Sequence, residues 1–153
     1  MTSGSGPVTG DAMAAWDRVT AESDSTNWVL LNWAAGSKPR VELRSSGSGG
    51  MAELVAALPE TEVAFGGFRV VGVDDRGNLV QRRSKFCLLF WQPSGAPMMQ
   101  RAKAGNAKGN VFAALNPSHV EFSISAADDL DEDEVVRKLR ACGGAHQPTS
   151  YEF

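Results

Sequence analysis

Apolar residues recur at helical spacing in four segments of the chain. The first segment follows Asp11, a suitable helix N-cap, and ends before Asp24; its apolar positions are Ala12, Met13, Trp16 and Val19. A second, short helix is predicted over residues 51–58, where Pro59 stops it, and a long third helix over residues 96–115. These patterns predict amphipathic helices that cover a sheet.

The last helix is predicted over residues 131–142, with Val135, Val136 and Leu139 facing inward. Asp131 and Glu134 have the spacing of a capping box, and Gly143 follows the last helical position. The acidic run that precedes this helix therefore complements the positive end of the helix dipole.

Strand patterns lie between the helices. Residues 28–33 are apolar almost throughout, which is typical of a central strand buried on both faces, and residues 41–44 return beside them through a loop at 35–39. A second hairpin is predicted from residues 68–73 and 79–92, with a turn at 74–78, and an alternating strand at 119–125. Gly66 and Gly67 shift the alternation by one residue, which predicts a bulge or a strand entry there.

This order of elements predicts a mixed sheet sandwiched by helices, in the α/β or α+β class. With 153 residues, the chain fits one globular domain over residues 11–145. We expect a flexible N-terminal tail at residues 1–10 and a C-terminal tail at residues 146–153. The first ten residues have no signal-peptide pattern and no apolar run is long enough for a membrane span, so a cytoplasmic protein is expected.

Charge is distributed unevenly along the chain. The net charge is −3, yet residues 76–120 contain seven Lys and Arg residues and no Asp or Glu. Arg82, Arg83 and Lys85 lead into the apolar run 86–91, and Arg101, Lys103 and Lys108 follow a Pro/Gly break. A basic patch of this kind indicates an acidic partner.

No catalytic or metal-binding constellation stands out. Asp129, Asp131 and Asp133 alternate as in a calcium loop, but Glu134 replaces the required Gly and Arg140 the required final Glu. His119 and His146 lack zinc-site spacing, and His119 is interpreted as a strand-entry residue. Cys87 and Cys142 have no pairing motif and are expected to be reduced thiols. The sequence therefore indicates a binding module without a cofactor rather than an enzyme.

Several short motifs together resemble the coactosins, within the actin-depolymerising-factor (ADF) homology family. They are Ser84-Lys85-Phe86 running into Trp91, Gln100-Arg101-Ala102-Lys103-Ala104-Gly105 with Lys108, residues 121–125, and Gly143-Gly144-Ala145. The resemblance covers residues 11–145. It implies the ADF-homology fold, a central five- to six-stranded mixed sheet with helices on both faces.

The resemblance also implies a function. Coactosins bind the sides of actin filaments (F-actin) without a cofactor and without severing, so a monomeric cytoskeletal protein that competes with cofilin is expected. Lys85 corresponds to the family's main filament contact; the accompanying basic positions are Arg82, Arg83, Arg101, Lys103, Lys108 and Arg140. Ala102 stands where cofilins carry a Met that anchors monomeric actin. Ala141 replaces a second Lys of animal coactosins.

Two alternatives stay open at this point. A cofilin-like factor that binds monomers and severs or depolymerises filaments would share the fold, and Ala102 is the residue that argues against it. An RNA-binding module could use basic residues interleaved with Phe86, Phe90 and Trp91. The acidic net charge argues against nucleic acid, because such domains usually carry a basic balance.

Overall fold

A computed structural model describes residues 6–34, 36, 39–144 and 147–153. Within these residues the chain forms four α-helices, six strands and one 3₁₀ turn at Ala127–Asp129. The helices are α1 (Gly10–Thr20), α2 (Gly50–Ala57), α3 (Met98–Ala114) and α4 (Glu132–Cys142). The strands are β1 (Trp28–Ala34), β2 (Arg40–Gly47), β3 (Ala64–Asp75), β4 (Val80–Trp91), β5 (Val120–Ile124) and β6 (Ser150–Glu152).

The strands form one mixed sheet in the order β2-β1-β3-β4-β5. β4 and β5 are parallel, whereas the other neighbours are antiparallel. β6 pairs with β3 over residues 71–73, beyond the point where β1 stops pairing at Phe68. The predicted mixed sheet between helices is therefore confirmed, with β6 as its sixth strand.

Both faces of the sheet are buried. α1 and α3 cover one face, where Phe65, Leu88 and Phe90 contribute to the core. α2 and α4 cover the other, where Phe68, Leu89 and Trp91 contribute. Successive side chains of a strand point to opposite faces, and both faces are covered here. β4 is therefore apolar without interruption from Phe86 onward.

The prediction of a bulge or a strand entry at Gly66 and Gly67 is wrong, because β3 already begins at Ala64. β3 keeps a regular register with both β1 and β4 through these residues. The shift in apolar alternation arises because Phe65 and Phe68 enter different cores. Gly67 instead makes room for a helix: a Cβ built there would lie 2.9 Å from Cη2 of Trp16, which is fully buried on α1.

A register irregularity does occur elsewhere, between Leu30 and Leu31 of β1 in the pairing with β2. The loop predicted at 35–39 lies mostly outside the described residues. β6 was not predicted, because three residues with one apolar position are too short to show a period. It lies within residues 146–153, the segment predicted as a C-terminal tail. Residues 145 and 146, on either side of that boundary, are not described.

The helix ends differ slightly from the predictions. Thr9, not Asp11, occupies the N-cap position of α1, and Asp11 accepts a hydrogen bond from the Thr9 hydroxyl. Asp131 caps α4, because its carboxylate accepts from the Glu134 N–H at 2.8 Å, but the Glu134 carboxylate binds Arg137 instead of completing the predicted capping box. Both cysteines are free thiols, Cys87 buried and Cys142 exposed. No helix in the described part of the chain is long and apolar enough to cross a membrane.

Arg69 of β3 holds the end of α1 and the turn that follows it. Its guanidinium donates to the carbonyl oxygens of Val19, Ala21 and Asp24 at 2.9, 2.8 and 2.7 Å. These carbonyls lie at or beyond the helix end, where the backbone lacks helical partners and a cation is favourable. The Arg69 side chain therefore fixes α1 against the sheet.

We expect Arg69→Ala to lower the free energy of unfolding by about 2 to 3 kcal/mol, because it leaves three carbonyls without a charged donor. Urea unfolding followed by tryptophan fluorescence measures the change. Arg44→Ala is the matched control: Arg44 forms an exposed ion pair with Glu62 and should cost less than about 1 kcal/mol. Equal losses in the two variants would contradict the role of Arg69.

The contact of Gly67 with Trp16 yields a second prediction. Gly67→Ala should destabilise the protein by about 1 to 3 kcal/mol, since the new methyl group overlaps a buried indole. Gly105→Ala is the opposite case, because nothing lies within 4 Å of a Cβ at this helical position. It should stabilise by about 0.5 to 1 kcal/mol. Melting temperatures that move in the same direction for both substitutions would refute this account.

Candidate functional site

The outer half of the β3–β4 hairpin projects beyond the main sheet. β1 pairs with β3 only as far as Phe68, and β5 begins to pair with β4 at Cys87. Residues 80–85 of β4 therefore pair with β3 alone, and they are exposed or half-buried. This region carries Arg82, Arg83 and Lys85 on a backbone held by a regular antiparallel ladder.

The three basic side chains of the hairpin do not share one face. Arg83 and Lys85 alternate in step with Cys87 and thus point to the α2/α4 side of the sheet. Arg82 points to the α1/α3 side, where its guanidinium forms an ion pair with Glu152 of β6. Sequence neighbours therefore belong to two different surfaces.

Lys85 and Arg83 line a shallow cleft beside α4. The cleft consists of two adjoining depressions of about 210 and 240 Å³, and both contain Arg83, Lys85 and Pro148. Within the described part of the chain, neither Lys85 nor Arg83 forms an ion pair. Arg83 is exposed and Lys85 is half-buried, and the one acid among the described residues that line the cleft, Asp74, is already paired with Arg76.

Arg140 of α4 contacts residues of the cleft wall, although it lines neither depression. Its guanidinium donates to the Pro148 carbonyl oxygen at 3.1 Å and lies 5.1 Å from the centre of the Tyr151 ring. These contacts orient Arg140 while leaving it exposed. The C-terminal segment 147–151 therefore joins Arg140 to the surface that holds Lys85 and Arg83.

The remaining predicted site residues lie on α3, across the sheet. Lys103 is exposed and Arg101 is half-buried. Lys108 turns inward, because its Nζ donates to the Ser123 hydroxyl at 3.1 Å and lies 5.9 Å from the Phe90 ring centre. The structure thus places Lys85 and Arg83 in one cleft and connects Arg140 to the wall of that cleft through Pro148 and Tyr151. Arg101, Lys103 and Lys108 lie on a second surface.

Sequence reasoning missed the exposed apolar residues. Met98 and Met99, which lie in the predicted third helix, are 77% and 67% exposed in its first turn. α3 is instead anchored by Ala104, Val111 and Phe112. Leu79 and Val80 are likewise exposed at the hairpin tip. The exposure of Met98 and Met99 could have been inferred from their position directly after Pro97, because a helix begins there and its first turn need not face the core.

His119 connects β5 to the base of the hairpin. Its backbone N–H donates to the Phe86 carbonyl oxygen at 2.7 Å, and its Nδ1 accepts from the Phe86 N–H at 3.0 Å. Partial burial, and then the charge of Lys85, lower the pKa of the imidazole below 6.5. His119 is thus a strand-entry residue, as its sequence position predicts.

Metal binding, thiol chemistry at Cys87 and base stacking are each disfavoured by the described residues. No group of three or more His, Cys, Asp or Glu side chains there is arranged to hold a metal ion. Burial raises the pKa of the Cys87 thiol far above its usual range, so this thiol is a poor nucleophile. All four Trp side chains are buried, which leaves them unable to stack on nucleic-acid bases.

A family model and a known protein both match most of this chain. Residues 6–140 match the family model described as "Cofilin/tropomyosin-type actin-binding protein". Coactosin of Dictyostelium discoideum is 34% identical over 133 residues, which cover 86% of this chain and 87% of the relative.

Solved structures show the same fold. The crystal structure of coactosin from Entamoeba histolytica superposes with a TM-score of 0.77 at 24% identity, over 92% of this chain and 98% of that one. Mouse coactosin, described as an actin filament binding protein, superposes with a TM-score of 0.69 at 23% identity, over 92% and 94%. The chain therefore belongs to the cofilin/tropomyosin-type actin-binding protein family, as a coactosin-like member with the ADF-homology fold.

Proposed function

We propose that this protein binds the sides of actin filaments through the surface that contains Lys85, Arg83 and Arg140. The observation that carries the proposal is the pair Lys85 and Arg83, which face solvent from a rigid strand without an acidic partner in the described structure. The mouse relative is described as an actin filament binding protein, which supports the same partner here. The binding needs no cofactor and no catalysis.

The electrostatics fit an acidic protein surface. A single exposed ion pair contributes only about 0 to 1 kcal/mol, so several charges must act together. Their combined field steers encounter and fixes orientation. Lys85 ranks first because it is half-buried at the hairpin base, where the sheet restrains its backbone. Arg82 and Lys108 rank lowest, because each is already engaged within the chain.

The α3 surface is the second part of the proposed interface. Arg101 and Lys103 supply its charge, and the exposed Met98 and Met99 supply apolar area beside them. Two basic surfaces on opposite sides of the sheet suit a partner with two contact sites, such as neighbouring subunits of a filament. Binding of this kind would compete with cofilin for filament sides and would act in the cytoplasmic actin cytoskeleton.

The second candidate function is that of a cofilin-like factor that holds monomers and severs filaments. The exposure of Met98 and Met99 favours it, because an apolar helix start can dock into a cleft. Ala102 opposes it: this exposed position carries a methyl group, whereas a buried larger side chain would contribute about 1.5 to 3 kcal/mol. We therefore place filament-side binding first and severing second.

Lys85→Ala should weaken filament binding at least about tenfold, equal to about 1.4 kcal/mol, while changing the stability by less than about 0.5 kcal/mol. Cosedimentation with preformed filaments measures the affinity, and thermal unfolding measures the stability. The affinity of the parent protein should also fall between 0.1 and 1 M salt, because the Debye length shortens from about 10 to about 3 Å.

The matched control is Arg40→Ala, which removes one exposed positive charge from β2, on the far edge of the sheet from β5. It should leave binding unchanged. If Lys85→Ala pellets with filaments as well as the parent protein does, the site is misplaced. If Arg40→Ala and Lys85→Ala weaken binding equally, net charge rather than the cleft governs the interaction.

Single-filament imaging separates side binding from severing. The parent protein should decorate filaments and slow their fragmentation by added cofilin, without breaking them itself and without faster depolymerisation. Ala102→Met should strengthen the binding of monomeric actin, since it adds apolar area next to Met98 and Met99. Fragmentation by the parent protein at substoichiometric amounts would reverse the ranking of the two candidate functions.

A further inference from the structure

The hydrogen bonds between His119 and Phe86 close a gap in the sheet. The backbone of Phe86 points its N–H and its carbonyl toward β5, yet regular pairing with β5 begins only at Cys87 and Val120. The backbone N–H of His119 satisfies the carbonyl, and its imidazole Nδ1 satisfies the N–H. A side chain therefore supplies the acceptor that another strand residue would otherwise provide.

The Nδ1 acceptor of His119 is important because it binds the residue that follows Lys85. Phe86 is the first residue of the buried half of β4, and Lys85 is the last residue of the exposed half. The imidazole ring also packs against the Phe86 ring, with 5.7 Å between the ring centres, while Trp16 of α1 meets the same ring edge-on at 6.3 Å. The backbone that presents Lys85 is thus fixed from its C-terminal side by Phe86 and His119.

Only one protonation state of the imidazole permits this arrangement. Nδ1 accepts a hydrogen bond, so it carries no proton, and in the neutral ring the proton resides on Nε2. Protonation of Nδ1 would set two N–H donors against each other and break the bond to Phe86. The imidazole edge is at the surface, where water can deliver that proton.

We propose that His119 is a positioning residue for the actin-binding site: its neutral imidazole locks the Phe86 backbone and thereby holds Lys85 in its binding geometry. This inference rests on the proposed function of Lys85. A contact residue that is already held in place loses less conformational freedom on binding, so a locked Lys85 binds more tightly than a loose one.

The charges around His119 define the direction of the pH effect. On β4 the neighbouring charge is Lys85, and it opposes protonation. On β5 the nearest acid in sequence is the exposed Glu121, whose carbonyl accepts from Lys138 of α4. α1 contributes the neutral Trp16. Of the charged groups in the described chain, Lys85 is the one whose field shifts the imidazole pKa.

Burial and Lys85 together hold the imidazole pKa below 6.5. The imidazole is therefore neutral at pH 7, and its hydrogen bond with Phe86 is fully formed above the pKa that the group has in the unfolded chain. This hydrogen bond is lost as the pH falls through the lower pKa of the imidazole in the folded protein. Filament binding should follow the same course: full between pH 7 and 8, and weaker as the pH falls through the lowered pKa of the folded imidazole.

The test compares three proteins by cosedimentation from pH 5.5 to 8. His119→Asn keeps an acceptor oxygen near the place of Nδ1 but does not titrate, whereas His119→Ala removes the acceptor. Once the pH lies below the imidazole pKa of the folded protein, the parent protein should bind about three- to tenfold more weakly, the change expected from losing one hydrogen bond. His119→Asn should bind like the parent at pH 7.5 and stay flat. His119→Ala should be weaker throughout.

NMR of the free protein supplies a readout that does not depend on actin. The amide signals of Phe86 and Lys85 should shift with the imidazole titration of His119, and Lys85→Gln should raise that imidazole pKa. His146→Asn controls for the second histidine and should leave the binding profile unchanged. Comparison of variants at each pH removes the effect of acid on the filaments themselves.

The possible failures are distinct. If the parent protein does not bind filaments at pH 7.5, the proposed function fails and the role of His119 fails with it. If the parent binds but His119→Ala binds equally well, or His119→Asn keeps the parent's pH profile, the positioning role is wrong and the filament-binding function stands. Amide signals of Phe86 and Lys85 that do not shift during the titration of the His119 imidazole would also refute the positioning role.

Discussion

Burial of the sheet on both faces is the constraint on which the rest of this structure depends. Helices on each side take up the side chains of β1, β3 and the inner half of β4, so these side chains cannot contact a ligand. Contact chemistry is left to the helix surfaces and to strand segments that extend past the covered area. The outer β3–β4 hairpin is such an extension, and Lys85 lies at its base.

The same constraint explains where the structure needs glycine. α1 packs so closely on the sheet that the Trp16 ring occupies the space above Gly67. Arg69, two residues along β3 on the same face, then binds the carbonyls at the end of α1. β3 thus leaves room for α1 at Gly67 and binds the end of α1 through Arg69. The position of α1 therefore depends on the register of β3.

Charge in sequence and charge in space differ in this protein. Residues 76–120 contain no acid, but β6 brings Glu152 to Arg82, and the hairpin itself brings Asp74 to Arg76. Strand alternation sends Arg82 and Arg83 to opposite faces. What stands out as one patch in the sequence becomes a cleft around Lys85 and Arg83, with Arg140 at its side, and a separate surface on α3. His119, which carries no sequence motif, joins the first of these to β5.

The sequence alone determined the main elements of this protein, because apolar period and capping residues act locally. The mixed sheet, the four helices, the burial of β1 and the Asp131 cap could all be predicted in this way. Tertiary structure decided the role of Gly67, the exposure of Met98 and Met99, the three residues of β6 and the partner of Arg82. Each of these depends on which distant segment lies alongside, and local period and composition carry no information about that.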